Sequence, residues 1–147
     1  MPKTLQLSVV TPERVVQTQE DVEQVTVTTE MGEVSILPGH MDLVAQLKPG
    51  RALIRRKGGE EILALSTGLM SVVEGTLVTI LADTADRAEE LDQEAIDRAK
   101  ADATRVMQEK RLVDDEAFAR AAAALERELA KERVLKNRPY KDPIKRR

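Results

Sequence analysis

The sequence predicts a mainly β fold followed by α: an N-terminal antiparallel β-sandwich, then a C-terminal antiparallel two-helix hairpin. Three observations predict it. Up to about Ala85, short Val, Leu and Ile runs alternate with polar residues and are punctuated by glycines. From about Leu91 to Leu135, apolar residues recur at helical spacing in a charged, alanine-rich background. The last residues are basic and contain prolines. The expected organisation is a sandwich over 1–86, a hairpin over 87–137 and a basic tail over 138–147.

Each element has a local reason. Leu5, Leu7 and Val9 alternate on one face of a first strand. Thr11-Pro12-Glu13 breaks it, and Val15-Val16 begins a second short strand. Val25 and Val27, interleaved with threonines, form a third. Val34-Ser35-Ile36 ends at Pro38-Gly39, where a type II turn suits Pro followed by Gly. Leu43 to Leu47 runs to a second expected turn of this kind at Pro49-Gly50. Arg51 to Lys57 and Glu60 to Ser66 flank Gly58-Gly59, a hairpin signal. Leu69 to Val73 and Thr76 to Leu81 flank Glu74-Gly75. Many short strands at this spacing predict a sandwich or barrel with an aliphatic core.

The period then changes. Asp92 caps a helix with the seam Ile96, Ala99, Ala103, Val106 and Val113. Asp114 caps a second, with Phe118, Ala121, Ala122, Leu125 and Leu129. Asp114-Asp115-Glu116 complements the positive end of the helix dipole. The short break from Lys110 to Asp114 makes the helices antiparallel neighbours, and Asn137-Arg138-Pro139 ends the second. A buried Ala methyl contributes about 0.8 kcal/mol, against about 1.5–3 for a Leu. Such a seam lets the helices approach closely but holds them modestly, within the range a partner can reverse.

Composition excludes several functions. The chain of 147 residues carries a formal charge of -3, which argues against a general nucleic-acid binder. It has no cysteine and one histidine, His40, so thiol chemistry, disulfides and multi-histidine metal sites are absent. Phe118 and Tyr140 are the only aromatics, too few for a base-stacking platform. There is no long apolar run for membrane insertion and no signal-peptide core. Nothing in the spacing of the acids singles out a catalytic pair, and no glycine-rich loop opens a helix, which leaves a sandwich hydrolase unsupported.

Two segments carry a family resemblance. Glu30 to Leu47, EMGEVSILPGHMDLVAQL, is followed by Lys48-Pro49-Gly50; Leu65 to Ala85 reads LSTGLMSVVEGTLVTILADTA. With these in order, the chain resembles the epsilon subunit of F-type rotary ATP synthases from about Leu5 to Leu135. The resemblance implies a non-catalytic rotor subunit of the central stalk, bound to the gamma subunit and the c-ring. It implies coupling of proton or sodium flow to ATP synthesis, and a hairpin that extends to suppress ATP hydrolysis against the alpha and beta catalytic subunits. It also implies a peripheral place at the cytoplasmic face of the bacterial plasma membrane. Ser35, Asp42 and Thr67 depart from the family pattern, where glycine, proline and glycine are common.

The resemblance assigns candidate sites. Met31, Gly32 and Glu33, with Pro38, Gly39 and His40, fall in loops that face the c-ring, where Glu33 offers an acceptor to polar or basic groups. Arg120, Arg127, Lys131 and Arg133 are the basic positions of the inhibitory helix. Some members bind ATP on the hairpin through Ile or Leu, Asp, two variable residues and Arg-Ala. Here Leu91-Asp92-Gln93-Glu94 continues with Ala95-Ile96, so the arginine is missing, and Arg98-Ala99 lies one turn later. Asp92, Arg127 and Lys131 are what remains of such a site, and a lysine lacks the arginine fork. No cofactor is therefore expected, and an ATP-sensing hairpin protein is the alternative reading. The tail from Lys136 to Arg147, with six basic residues and one acidic, is expected to be a solvated, flexible end; the alternative is that it strengthens inhibition by reaching an acidic segment of a catalytic beta subunit.

Overall fold

The computed structural model describes residues 4–136. The basic tail and the expected helix end at Asn137 lie outside them. The strands are β1 (Leu5–Val10), β2 (Val15–Thr29), β3 (Gly32–Ile36), β4 (Leu43–Arg56), β5 (Gly59–Leu65), β6 (Gly68–Val73), β7 (Leu77–Ala82) and β8 (Ala85–Arg87). A single 3₁₀ turn, Ala88–Glu90, leads to the helices α1 (Gln93–Lys110) and α2 (Asp115–Lys136).

The strands are ordered β3-β2-β1-β7-β6-β4-β5-β8, and β2 also pairs with β4. Two long strands therefore turn the corner between two layers. The first half of β2 lies beside β1, and its second half pairs with β3 and the second half of β4. Leu43–Leu47 pairs with β6, whereas Gly50–Arg56 pairs with β5. Layer one is β2-β1-β7-β6-β4, and layer two is β3-β2-β4-β5-β8. Every pair is antiparallel except β1–β7, which runs parallel.

Three local expectations change. Val15-Val16 and Val25-Val27 belong to one continuous strand, which keeps going by taking irregular register steps near Val22. Pro49-Gly50 is not a type II turn, since Gly50 does not have positive φ. It lies in the corner of β4, where the register with β2 jumps from Thr29↔Leu47 to Val27↔Ala52. Proline is tolerated at such an irregularity because no ladder hydrogen bond is lost there. A Cβ on Gly50 would come within 2.7 Å of Thr28 Oγ1, so the corner requires glycine for its close approach. Val113 is not a seam residue; it is 80% exposed because α1 ends at Lys110.

Other turns agree with the sequence. Leu37-Pro38-Gly39-His40 is closed by His40 N–H to Leu37 C=O at 3.1 Å, with Gly39 at φ 88°. Glu74 and Gly75 both have positive φ, the mirror-image turn that matches strand twist. Asp92 and Asp114 cap their helices, accepting from Glu94 N–H and Ala117 N–H at 3.0 Å each.

Two apolar clusters result. The larger lies between the layers and includes Leu5, Leu7, Val9, Val25, Ile54, Leu63, Met70 and Ile80. The smaller lies outside layer two, where Ile62, Ala64 and Ala88 meet Val134 of α2, flanked by Leu53 and Leu91. The hairpin thus folds back against the sandwich without entering its interior.

Candidate functional site

The outer faces of the two layers differ. On layer two, Leu53 and Ile62 are cross-strand partners, and Arg51 faces Ala64; α2 lies over this surface. Strand β5 is consequently buried on both sides over Ile62–Leu65, and it does not alternate. On layer one, Leu69 pairs with Leu81, Val73 with Leu77 and Ser71 with Thr79. Val44 stands opposite Ser71, and Val10 opposite Leu81. Leu69, Val73, Leu77, Leu81 and Val44 are all exposed, Val44 at 72%. None of the described residues covers this face, which is apolar at its rim and carries small hydroxyls, Ser71 and Thr79, at its centre.

The loop 37–42 extends that face. Gly39 N–H donates to Gly75 C=O at 2.8 Å, and Glu74 N–H donates to Asp42 Oδ1 at 2.9 Å. A Cβ on Gly75 would meet Gly39 Cα at 3.0 Å, so the two turns are stacked backbone to backbone. Asp42 is thereby the acceptor that ties the 37–42 loop to the β6–β7 turn. Leu37 and Met41 project from the loop, exposed. His40 Nδ1–H donates to Met41 C=O at 2.7 Å, which orients the ring on its own loop.

Met31, Gly32 and Glu33 lie elsewhere. Thr29 Oγ1 donates to Gly32 C=O at 2.7 Å and accepts from Met31 N–H at 3.1 Å, which shapes the β2–β3 turn. Met31 is almost fully exposed at its tip. Glu33 faces Arg51 at 3.8 Å, with both side chains about half exposed. Strand β3 separates this turn from the 37–42 loop by roughly 13 Å at about 3.3 Å per residue. The six residues expected in loops that face the c-ring therefore lie in two turns, one at each end of β3.

The four cations of α2 are also split. Arg120, Arg127 and Lys131 follow one face at spacings of seven and four, whereas Arg133 is turned away from it. Lys131 Nζ lies 3.1 Å from Glu128 Oε1 and 3.6 Å from Asp86 Oδ2 in β8. Arg133 lines a cleft with Lys48 and Arg51. Next to Lys131, Lys100 of α1 and Lys136 bracket Glu132 at 2.6 and 2.8 Å. The hydrogen bond from Lys100, then that from Lys136, holds the Glu132 carboxyl at about 2, below its usual range. The hydrogen bond to Glu132 likewise raises Lys100.

The remnants of the nucleotide motif do not assemble an anion site. Asp92 and Lys131 line a shallow pocket with Asp86, Glu90 and Glu128, so four carboxylates surround one ammonium. Asp92 already caps α1, and Lys131 is held by two acids. A polyphosphate entering here would meet net negative charge. Among the described residues no group of acids and His has metal-ligand geometry, and no helix is long and apolar enough to cross a membrane.

Sequence reasoning missed the bare apolar face. Its signal was available: in Leu69–Val73 and Leu77–Leu81, apolar residues occupy both parities of the strand. One parity fills the core, and the other has to face a covering element or a partner.

The chain is similar to known proteins along most of its length. Residues 4–88 match the family model described as ATP synthase, Delta/Epsilon chain, beta-sandwich domain. An ATP synthase epsilon chain of Herpetosiphon aurantiacus is 39% identical over 91% of this chain and 96% of its own length. One of Chromohalobacter salexigens is 38% identical over 77% of this chain and 79% of its own length. In the cryo-EM structure of the mitochondrial ATP synthase of Euglena gracilis, in an assembly that includes the c-ring, one chain superposes with TM-score 0.77 at 27% identity. That match covers 92% of this chain and 83% of the other. A matching sandwich followed by a helix pair, and a near full-length relationship at this identity, establish that the chain belongs to the epsilon-chain family of the ATP synthases.

Proposed function

We propose that this chain is a non-catalytic subunit of the central stalk of an F-type ATP synthase, at the cytoplasmic face of the membrane. The observation that carries the reading is the uncovered apolar face of layer one. Soluble monomers rarely leave such a contiguous face open, and a partner of matching shape buries it. The gamma subunit is that partner, received on Val44, Leu69, Val73, Leu77 and Leu81 with Leu37 and Met41 at the edge. The Pro38-Gly39-His40 turn belongs with this surface, because it is stacked on the β6–β7 turn. Met31, Gly32 and Glu33, at the other end of β3, are the residues offered to the c-ring.

In this role the sandwich transmits torque between ring and shaft and so couples ion flow to ATP synthesis. The hairpin rests on layer two through a small apolar cluster and few ion pairs, which suits an element that leaves and returns. Released, it presents Arg120, Arg127, Lys131 and Arg133 to acidic segments of the alpha and beta subunits and slows ATP hydrolysis. The acidic surroundings of Lys131 oppose the reading of the hairpin as an ATP sensor.

The test is reconstitution with gamma. Leu69→Glu with Leu77→Glu places two charges on the open face without touching the core. The double variant is expected to keep the circular dichroism and Tm of the parent but to lose co-purification with gamma by at least tenfold. Retained binding would exclude this face as the docking surface.

A further inference from the structure

We infer that the seam between α2 and the corner of β4 is a binding site for a small phosphate-type oxyanion, and that its occupation favours the docked hairpin. The cleft has a volume of about 320 Å³ and is lined by Thr28, Lys48, Pro49, Arg51, Arg133 and Val134. Two of its cations, Lys48 and Arg51, come from the sandwich; the third, Arg133, comes from α2. The Pro49-Gly50 corner is what brings them together, since residues 48–51 fall where the β2–β4 pairing is interrupted between Thr29↔Leu47 and Val27↔Ala52, while Gly50 and Arg51 stay paired with β5. Thr28 adds a hydroxyl from the adjoining strand.

The electrostatics give the site its direction. Glu33 is the acid that approaches Arg51, and at 3.8 Å it lies beyond hydrogen-bond reach. The carbonyl end of α2 contributes a diffuse half negative charge at most, so even with the carboxylate of Glu33 the three cations leave the cleft net positive. Arg133 shares the cleft with Lys48 and Arg51, and like charges brought together there act against hairpin docking. An oxyanion bound between them reverses the sign, because it bridges cations of both elements. A ligand whose site exists only when the hairpin is docked shifts the population toward that state. The volume suits phosphate or pyrophosphate. The site is also distinct from the acidic pocket at Lys131, on the opposite flank of α2.

The experiment uses the full chain and does not depend on gamma. Because the sequence has no cysteine, Lys57→Cys in the sandwich and Gln108→Cys in the hairpin give a clean pair of labelling positions for energy transfer. Titration with pyrophosphate, at constant ionic strength set with chloride, is followed by transfer efficiency and by calorimetry. The expected result is saturable binding with a rise in the docked fraction. Arg133→Gln with Lys48→Gln is expected to weaken binding by roughly tenfold or more, from two lost charge-assisted contacts. It is also expected to raise the docked fraction without ligand, because the repulsion is gone. Arg105→Gln, on the exposed face of α1 and paired only within that helix, leaves the pyrophosphate affinity within about twofold. Absence of saturable binding, or equal affinity in the Arg133/Lys48 variant, would overturn the inference. Failure of the gamma-binding test would leave it untouched.

Discussion

Lys131 Nζ stands 3.6 Å from Asp86 Oδ2, and this contact is the ion pair by which α2 holds the last strand of the sandwich. Both side chains are partly shielded, and Glu128 shares the ammonium at 3.1 Å. A partly exposed pair of this kind contributes up to about 1 kcal/mol. Lys131→Gln leaves Asp86 and Glu128 facing each other without a cation. The docked fraction of the hairpin, read by energy transfer, is expected to shift toward undocked by roughly two- to fivefold. Raising NaCl from low to high concentration should move the parent the same way and the variant much less. A salt response unchanged by the substitution would assign the latch to other contacts.

Val134 is the apolar half of the same seam. It is buried against Ile62, Ala64 and Ala88, in a cluster separate from the sandwich core. Val134→Ala removes two methyl groups, at about 0.8 kcal/mol each, plus a cavity contribution. The hairpin is expected to detach while the sandwich stays folded. Hydrogen exchange should therefore rise along α2 and stay unchanged in β1, β6 and β7. Ile80→Ala, in the larger core, should do the opposite and lower the global Tm. If Val134→Ala melts the sandwich as well, the two clusters are one cooperative unit.

The Lys100–Glu132–Lys136 cluster makes the hairpin sensitive to acid. Glu132 titrates at about 2 in the folded chain and at about 4.5 when unpaired. A depressed carboxyl stabilises the state that holds it above the unfolded value, and the contribution is lost as pH falls through the folded one. The contact between α1 and α2 should therefore be constant from neutral pH down to about 4.5 and weaken between about 4.5 and 2. Lys100 is shifted the other way, so its contribution is complete below 10.5 and fades only above it. Glu132→Gln removes the acid step while keeping the side-chain shape. Helicity followed by circular dichroism across pH 5 to 2 checks this, and an identical acid profile in the variant would refute it.

The elements that local chemistry controls were legible in the sequence. Alternation placed Leu5, Leu7 and Val9 inside, and side-chain oxygens of Asp92 and Asp114 marked both helix starts. Pro38-Gly39 read correctly as a turn because Gly39 takes positive φ. Pro49-Gly50 has the same dipeptide but a different fate. Its backbone is set by Thr28 and by the change of partner strand, neither of which is local. The merging of two short strands into β2 has the same origin, since a strand that serves both layers is defined by its partners. The functional surfaces were less legible. Met31, Glu33 and His40 could be named from the resemblance, but the separation of the two loops by β3 follows only from register. The Lys131–Asp86 pair spans 45 residues of sequence, and no pattern within either segment announces it.

Gln17 provides the last prediction. It pairs with Val9 across β1–β2, and Val9 faces the core, so the amide is directed between the two layers. It is only 8% exposed, and neither Nε2 nor Oε1 has a hydrogen-bond partner. Nearby, Gln19 Nε2 donates to Glu61 at 3.1 Å while its own Oε1 is buried without a partner, and Arg87 joins Glu61 to the Val16 carbonyl. A buried amide without partners costs about 1–3 kcal/mol relative to an apolar group of the same shape. Gln17→Met keeps the length and flexibility of the side chain and removes both polar atoms. The variant is expected to be more stable by about 1–2 kcal/mol in urea unfolding, with an unchanged m-value and unchanged gamma binding. Destabilisation by a similar amount would mean that bound water satisfies the amide, and that the polar end of the sandwich is a built hydration site rather than a defect.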